Sequence, residues 1–514
     1  MKKIVEKLKS KNTLILILIF LFALAVRFRW FPKNVYFGYD QARDAIVSQE
    51  IYTQKDIKII GPSAGKEGLF HGPAYWYLIG PVYLLFKGNP NGVLAFISII
   101  NAAGIFLIYL LAKELFNSKI GLIASFFYAV SFAQTQYSLY FANPSPAVLS
   151  IMVFYLGWCW LIFRKNSLGW LLVGLGFGLS IQFEFFLIYL FSSMILFPVF
   201  FWKEIRTAFS IKSAVLGILS LSITLFTFIL AEFKYGFKTI KQILGMFFPN
   251  TLENAPKVHL ATSNYLGRVG MEVYYDVFKV IPNTREILAV LLFIIIALCF
   301  FKFKESRKKI IFLLVWIISN LFLDIFGPPQ LYYVGIGLSI PIMIIFAFSF
   351  SQLYNFKKIP AFLLLAIFIF TNLHLMNKYN PGGPVKDLYV QNGMFLTDEK
   401  KVIDAIYTEA DNKKFTINAL TMPYKIKTTW AYLFNWYGME KYRYVPFWGG
   451  EDVPGYAGIL PLPDRREYVR FAIFEPMRGI PEDLKKEFKD SENGYSYPKS
   501  IIKIGLFEVE KRIP

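Results

Sequence analysis

The sequence predicts a polytopic α-helical membrane protein with about eleven transmembrane helices and a small α/β domain at its C-terminal end. Of its 514 residues, 55% are hydrophobic and only 18% are charged, and the mean hydropathy is +0.46. In soluble chains, about a quarter of all residues are charged. The formal net charge is +20, but Lys and Arg stand between the apolar runs and do not form one basic surface. This distribution argues against nucleic-acid binding.

Eleven apolar runs are long enough to cross the hydrocarbon core, which takes roughly 17–25 residues per helix because every backbone group must be paired within lipid. The first run follows the basic segment from Met1 to Lys11 and lacks a small-residue cleavage site, so we expect an uncleaved first helix. The runs are 13–30, 93–112, 119–134, 146–163, 167–183, 185–202, 213–231, 286–301, 310–326, 331–350 and 359–376.

A further run, 71–86, is ambiguous. It is short, contains Pro81, and is rich in Tyr and Trp, which favour the membrane interface. Lys and Arg in short loops mark the cytoplasmic side of the membrane. These residues fall on the same side if the run 71–86 does not cross the membrane, and they do not if it crosses. We therefore expect 71–86 to be a juxtamembrane or re-entrant helix on the outer face.

We expect the chain to lie in the cell or plasma membrane with its N-terminus in the cytoplasm. An odd number of crossings then places the C-terminus on the extracytoplasmic side. The predicted organisation is a transmembrane domain, 1–376, with outer loops 31–92 and 232–285, followed by an extracytoplasmic domain, 377–514. This last part opens with the breaker cluster Asn380 to Pro384. Its helix-like stretches are 398–410, 427–438 and 481–489, and they alternate with the strand-like stretches Phe415–Leu420, Val469–Phe474 and Ile501–Val509.

The first outer loop holds a candidate catalytic carboxylate. On a helix, Asp40, Arg43 and Asp44 share one face at spacings i, i+3 and i+4. A carboxylate beside the membrane, oriented by an Arg, suits a general base that removes a proton from a hydroxyl. The alternative is that Asp40 caps a helix, with Arg43 as its surface partner.

This layout, with an N-terminal helix, an acidic motif in a long outer loop and an aromatic-proline stretch, resembles the GT-C glycosyltransferases. Within them it is most similar to family 39, the protein O-mannosyltransferase and aminoarabinose-transferase group, over about the first 350 residues. The resemblance implies a GT-C-like fold, a polyprenyl-phosphate sugar donor and Asp40 as base. The family motif is often Asp-Glu and the pair here is Asp40-Gln41, so Asp44 is our candidate for the second carboxylate.

The resemblance also implies residues that line the sugar site. The stretch from Phe70 to Tyr77 resembles a His-Pro-Pro-aromatic motif of the family and offers His71 and Tyr75, while Tyr332 and Tyr333 resemble a tyrosine motif at the outer mouth of a late helix. An interfacial aromatic belt is the alternative for the first stretch, and apolar helix packing is the alternative for the second.

Two further charged residues are candidates. Glu184 falls at an outer helix end, where a carboxylate is costly unless it is paired or hydrated, so it contacts either substrate, a metal or water. A departing lipid phosphate requires a cation, and from loop 232–285 we choose Arg268, with solvated surface charge as the alternative. No cofactor is identified, because the three histidines lack ligand spacing, and a divalent metal stays open.

We therefore expect an inverting sugar transfer from a polyprenyl-phosphate donor to an acceptor hydroxyl on the extracytoplasmic face. The expected partners are this donor, a protein, glycan or lipid acceptor, and membrane lipids, with no nucleic acid. A transporter or flippase of lipid-linked glycans is the main alternative, and a non-catalytic assembly partner is another. Transporters usually show internal repeats and polar groups at the midplane, whereas the polar residues here gather at outer helix ends.

Overall fold

The computed structural model describes residues 11–65, 67–247, 262–276, 285–326, 335–384, 391–464, 468–477 and 480–513. These residues are mostly helical as far as position 384. The helices of this part are α1 Lys11–Phe28, α2 Tyr39–Thr53, α3 Ala74–Leu85, α4 Pro90–Leu115, α5 Ser118–Val130, α6 Phe132–Leu139, α7 Ala147–Cys159, α8 Gly169–Phe183, α9 Phe191–Ala208, α10 Ile211–Thr224, α11 Phe226–Lys234, α12 Lys238–Phe247, α13 Thr262–Asp276, α14 Arg285–Lys302, α15 Arg307–Ser319, α16 Ser339–Phe356 and α17 Lys358–Tyr379. Short 3-10 turns include Phe185–Leu190 and Asn320–Phe326.

Helices lie on all eleven predicted apolar runs. Among the described residues, six helices are long and apolar enough to cross a membrane, or up to eight if each of two bent pairs is one span. The bends are 60° between α10 and α11 and 113° between α14 and α15, while α5 and α8 are shorter apolar helices. The prediction of a protein with several membrane-spanning helices is confirmed. The predicted number of eleven transmembrane helices stays a prediction.

The ambiguous run 71–86 forms α3, which packs along α2. The close approach of these two helices depends on Gly80, because a Cβ atom there would lie 2.5 Å from the Tyr52 ring and 2.6 Å from the carbonyl oxygen of Ser48. The packed face of α3 carries Tyr75, Trp76 and Tyr83. A helix is confirmed over this run, and its place on the outer face stays a prediction.

Within the described part of the C-terminal region, five strands form one mixed sheet of order β2-β1-β3-β5-β4. Strand β1 is parallel to β2 and β3, and β5 is antiparallel to β3 and β4. The strands are β1 Phe415–Leu420, β2 Phe447–Trp448, β3 Val469–Phe474, β4 Tyr497–Ile504 and β5 Phe507–Ile513, and the helices are α18 Leu396–Ala410, α19 Thr428–Leu433, α20 Met439–Tyr442 and α21 Glu482–Asn493. The predicted helix-like stretches overlap α18, α19 and α21, and two predicted strands coincide with β1 and β3.

The sequence predicts a single strand over Ile501–Val509, and this prediction is wrong. The stretch contains the turn between β4 and β5, where Gly505 adopts φ +58°. That backbone conformation is open to glycine at little cost. The turn therefore folds one apolar stretch back on itself as a hairpin.

The C-terminal region packs directly on the first predicted outer loop. The N–H of Phe37 donates to the carbonyl of Met394 at 2.9 Å, and the N–H of Leu396 donates to the carbonyl of Val35 at 3.0 Å. The hydroxyl of Tyr432 donates to the carbonyl of Gly88. These contacts hold the C-terminal region against the segment before α2 and the turn after α3. A domain boundary at 376 stays a prediction.

Candidate functional site

A cavity opens where α2, the loop 61–72, the connection 140–146 and the end of α8 meet. Four residues predicted from the sequence lie on its wall: Asp40, Arg43, His71 and Glu184. They come from three segments far apart in the chain. The rest of the lining consists of Pro62, Ser63, Tyr140, Asn143 and Pro144.

Helix α2 begins at Tyr39, and Asp40 lies inside its first turn. The residue at the helix N-cap is Gly38, whose N–H donates to Oε1 of Gln41 at 3.2 Å. Gln41 is thus the side chain that satisfies the free end of the helix. Asp40 is not needed for this role, and its side chain is 47% exposed at the cavity.

Arg43 joins two carboxylates of different exposure. Its Nη1 donates to Oδ1 of Asp40 at 2.7 Å, while Nε and Nη2 donate to Oδ1 of Asp44 at 3.0 and 2.8 Å. The indole Nε1 of Trp76 donates to the same Asp44 oxygen at 2.7 Å. Asp44 is only 1% exposed and lies outside the cavity lining. The three-residue pattern therefore places one carboxylate at the cavity and the other behind Arg43.

Asp44 is buried among the packed helices α2 and α3. Burial raises the pKa of Asp44 above its usual value, against the opposing effects of Arg43 and the Trp76 hydrogen bond. Its Oδ2 is buried and has no hydrogen-bond partner among the described residues. Tyr75 is also buried, at 1% exposure, and does not line the cavity.

His71 is held in one tautomer by the backbone. The N–H of Phe185 donates to Nδ1 of His71 at 3.0 Å, so this nitrogen carries no proton and the neutral ring carries its proton on Nε2. Burial, followed by the charge of Arg43, lowers the pKa of His71 to about 3. The 3.6 Å contact between His71 Nδ1 and Glu184 Oε1 is therefore not an ion pair.

Glu184 lies in the connection between α8 and the 3-10 turn Phe185–Leu190, outside both segments. It is 1% exposed, its Oε1 accepts a 3.4 Å bond from the N–H of Phe186, and its Oε2 is buried without a hydrogen-bond partner among the described residues. Burial raises the pKa of Glu184 to about 8. The carboxyl group is thus mostly neutral at pH 7.

The loop that carries His71 is fixed by backbone bonds. The N–H of His71 donates to the carbonyl of Pro62, and the N–H of Gly72 donates to the carbonyl of Gln182, both at 2.9 Å. A Cβ atom on Gly72 would lie 1.8 Å from Oε1 and 2.9 Å from Cα of Gln182. α8 therefore passes too close to position 72 for a side chain, and glycine fits there.

Arg268 lies in a different cluster. Its Nη1 donates to Oδ1 of Asp324 at 2.6 Å, and its Nε donates to Oδ1 of Asn320 at 3.1 Å. The Arg268 side chain is 16% exposed and is not part of the cavity lining. Tyr332 and Tyr333 lie outside the described residues.

Sequence reasoning missed Ser63, Tyr140 and Asn143. Asn143 is anchored by a 2.8 Å bond from its Nδ2 to the carbonyl of Phe183, next to Glu184. A signal was present, since Asn143 lies in the sequence Asn-Pro-Ser-Pro of a predicted outer connection that has no Lys or Arg. In the part of the chain that the structure describes, no three His, Cys, Asp or Glu side chains are grouped to hold a metal ion.

Comparisons with known proteins give a family match for part of the chain and a similar fold for nearly all of it. Residues 70–231 match the model of the dolichyl-phosphate-mannose-protein mannosyltransferase family. The apo structure of ArnT from Cupriavidus metallidurans superposes with a TM-score of 0.60 and 12% identity, covering 98% of both chains. The same protein bound to undecaprenyl phosphate gives a TM-score of 0.50 at 12% identity, again over 98% of both chains.

The oligosaccharyltransferase of Archaeoglobus fulgidus also matches, with a TM-score of 0.49 and 12% identity over 80% of this chain. This chain spans 62% of the length of that protein. The comparison with curated proteins gives no significant match. The predicted resemblance to the mannosyltransferase family is confirmed over residues 70–231, and the fold is shared with ArnT.

Proposed function

We propose that this chain is a membrane glycosyltransferase that moves a sugar from a polyprenyl-phosphate donor to an acceptor hydroxyl on the extracytoplasmic face, with inversion at the sugar C1. The observation that carries the proposal is the position of Asp40, half exposed at a cavity and bound by Arg43 at 2.7 Å. The match to a dolichyl-phosphate-mannose mannosyltransferase model and the fold of ArnT, which has been solved with undecaprenyl phosphate, support a lipid-linked donor.

Asp40 is the proposed general base. A base must come within hydrogen-bond reach of the proton that it removes, and Asp40 lines the cavity whereas Asp44 does not. The bond from Arg43 leaves Asp40 Oδ2 available to an acceptor hydroxyl while it fixes the orientation of the carboxylate. Asp44 then acts through Arg43, which it orients.

The departing lipid phosphate needs a positive charge near the cavity. Arg43 is the cation in the cavity lining, since His71 is neutral there. Arg268 remains a candidate at the neighbouring cluster, where Asp324 already binds its guanidinium. Binding of undecaprenyl phosphate to the variants Arg43→Ala and Arg268→Ala distinguishes the two candidates. Binding should weaken only in the variant that lacks the arginine contacting the phosphate.

The acceptor is proposed to enter beside the C-terminal region. The ring of Tyr456 lies 6.1 Å from that of Tyr39, the residue before Asp40, so this region borders the proposed base. His71 and Glu184 are proposed to contact the sugar, since both line the cavity. Tyr75 would support this wall from behind, and Tyr332 and Tyr333 stay sequence-based candidates.

The deciding experiment compares the wild type with Asp40→Asn in lipid nanodiscs, using a panel of radiolabelled sugars linked to undecaprenyl phosphate. We expect label transfer or release by the wild type and a loss of about 10²–10⁴-fold in Asp40→Asn, the usual contribution of a general base. Glu50→Gln is the matched control, a carboxylate farther along α2 and outside the cavity lining. A flippase would move the lipid in both variants and yield no product.

The membrane side is tested by labelling. Asp56 lies in the loop after α2 with a 48% exposed side chain, and both native cysteines are buried. A membrane-impermeant maleimide should label an Asp56→Cys variant on intact cells. Labelling only after the cells are opened would contradict the extracytoplasmic site.

A further inference from the structure

Glu184 is a buried carboxyl group at the cavity wall that the proposed base step does not use. Its Oε2 has no hydrogen-bond partner among the described residues, and Oε1 has only the long bond from Phe186. An unpaired polar atom in such a place costs free energy unless a ligand satisfies it. Because Glu184 lines the cavity, we expect a ligand bound in the cavity to be the hydrogen-bond partner of its carboxyl group.

Among the residues that the structure describes, no cation near Glu184 is free to balance a negative charge. His71, at 3.6 Å, accepts a backbone N–H on the nitrogen that faces Glu184, and Arg43 is bound to Asp40 and Asp44. The remaining titratable group of the lining is Tyr140. On the 3-10 turn packed against Phe185–Leu190, Asp324 is already bound to Arg268.

A carboxylate at position 184 would thus be a buried negative charge in the cavity that also holds the half-exposed Asp40. Such a charge is strongly disfavoured without a partner, whereas a neutral acid offers one O–H donor and accepting oxygens. His71 adds a donor of its own, because Nδ1 accepts the N–H of Phe185 and the proton of the neutral ring is therefore on Nε2. His71 and Glu184 therefore supply two neutral donors to the lining of the cavity.

We propose that Glu184 works as a neutral acid whose O–H, together with the Nε2–H of His71, hydrogen-bonds the hydroxyl groups of an uncharged sugar and so sets donor specificity. This inference rests on the proposed function and adds the substrate class to it: hexoses or pentoses with hydroxyls at the contacted positions. An ammonium group has no acceptor for the His71 proton, whereas a hydroxyl both donates and accepts.

The test uses Glu184→Gln and Glu184→Leu with the undecaprenyl-phosphate-linked sugar that the wild type uses best in the panel. Gln keeps a neutral donor and acceptor at this position, so kcat/KM should stay within about threefold of the wild type. Leu removes the donor and should lower kcat/KM by about tenfold or more. Thermal unfolding of both variants checks that they are folded.

The pH profile separates a direct role from a structural one. Deprotonation of Glu184, with its pKa of about 8, removes the donor, so wild-type kcat/KM should fall above about pH 8 while Glu184→Gln shows no such fall. Equal loss of activity in the Gln and Leu variants, the same alkaline fall in the Gln variant, or preference for a sugar with an amino group would overturn the inference. Failure of the proposed function is different, because the wild type itself would then transfer no sugar.

Discussion

Trp76 donates a hydrogen bond of 2.7 Å from its indole Nε1 to Oδ1 of Asp44, the oxygen that also accepts two bonds from Arg43. The two residues lie on the packed helices α3 and α2. Because Arg43 in turn holds Asp40, the orientation of the proposed base depends on an indole 36 positions later in the sequence.

Trp76→Phe should weaken this chain of bonds without removing the aromatic character of the side chain. We expect kcat to fall several-fold with little change in KM, and the protein to lose roughly 1.5–3 kcal/mol of stability, as is usual for a hydrogen bond to a charged group. Steady-state kinetics and thermal unfolding measure both effects. Trp202→Phe, at a ring that is 61% exposed, is the control, and wild-type behaviour of Trp76→Phe would show that the bond does not position Arg43.

Asp40→Asn and Asp44→Asn should have different consequences for stability. Asp44 is 1% exposed and Asp40 is 47% exposed, and loss of one partner from a buried pair costs roughly 3–5 kcal/mol. We expect a clearly lower Tm for Asp44→Asn and a Tm near the wild type for Asp40→Asn, measured by differential scanning fluorimetry in detergent. Equal losses of Tm would contradict the placement of Asp44 behind Arg43.

Gly72→Ala should disturb the loop that carries His71. The added Cβ would overlap Gln182, and overpacking of this kind costs about 1–3 kcal/mol. We expect lower thermal stability and lower transfer activity, because His71 moves relative to the cavity. Gly382→Ala is the matched control, since a Cβ atom added there would meet no other group of the described residues within 4 Å; a similar loss in both variants would mean that contact with α8 is not the cause.

Stability should fall as the pH rises, because of two buried acids in the C-terminal region. Glu399 is fully buried with neither oxygen hydrogen-bonded among the described residues, and burial together with Glu475 raises its pKa well above the usual value. Burial raises the pKa of Glu475 to about 7. The folded state thus keeps protons that the unfolded state loses above about pH 4.5, so stability declines from there through pH 7 and beyond.

Glu399→Gln should remove part of this dependence. We expect its Tm to exceed that of the wild type at pH 9 and to approach it at pH 5, measured across the same buffer series. Glu440→Gln, at an exposed position on α20, serves as control. If Tm decreases with pH as steeply in Glu399→Gln as in the wild type, this carboxyl group does not cause the pH dependence of stability.

Local spacing predicted part of the geometry around the cavity. The bond between Arg43 and Asp40 follows from the i, i+3 geometry of a helix, and the position of Glu184 follows from the end of an apolar run. The contacts of His71 with Phe185 and of Asp44 with Trp76 were not predictable, because they join positions 114 and 32 apart through packing. The hairpin within Ile501–Val509 was missed because a single glycine, Gly505, inside a strand-like pattern does not by itself distinguish a turn from a bulge.

The sequence by itself determined that this chain belongs in a membrane and where its helices run, because the hydrophobic effect acts on contiguous apolar residues whatever they pack against. Only the tertiary structure decided which of two nearby aspartates meets the cavity and which acid loses its charge. Those properties depend on desolvation, and desolvation is set by neighbours that arrive from distant parts of the chain.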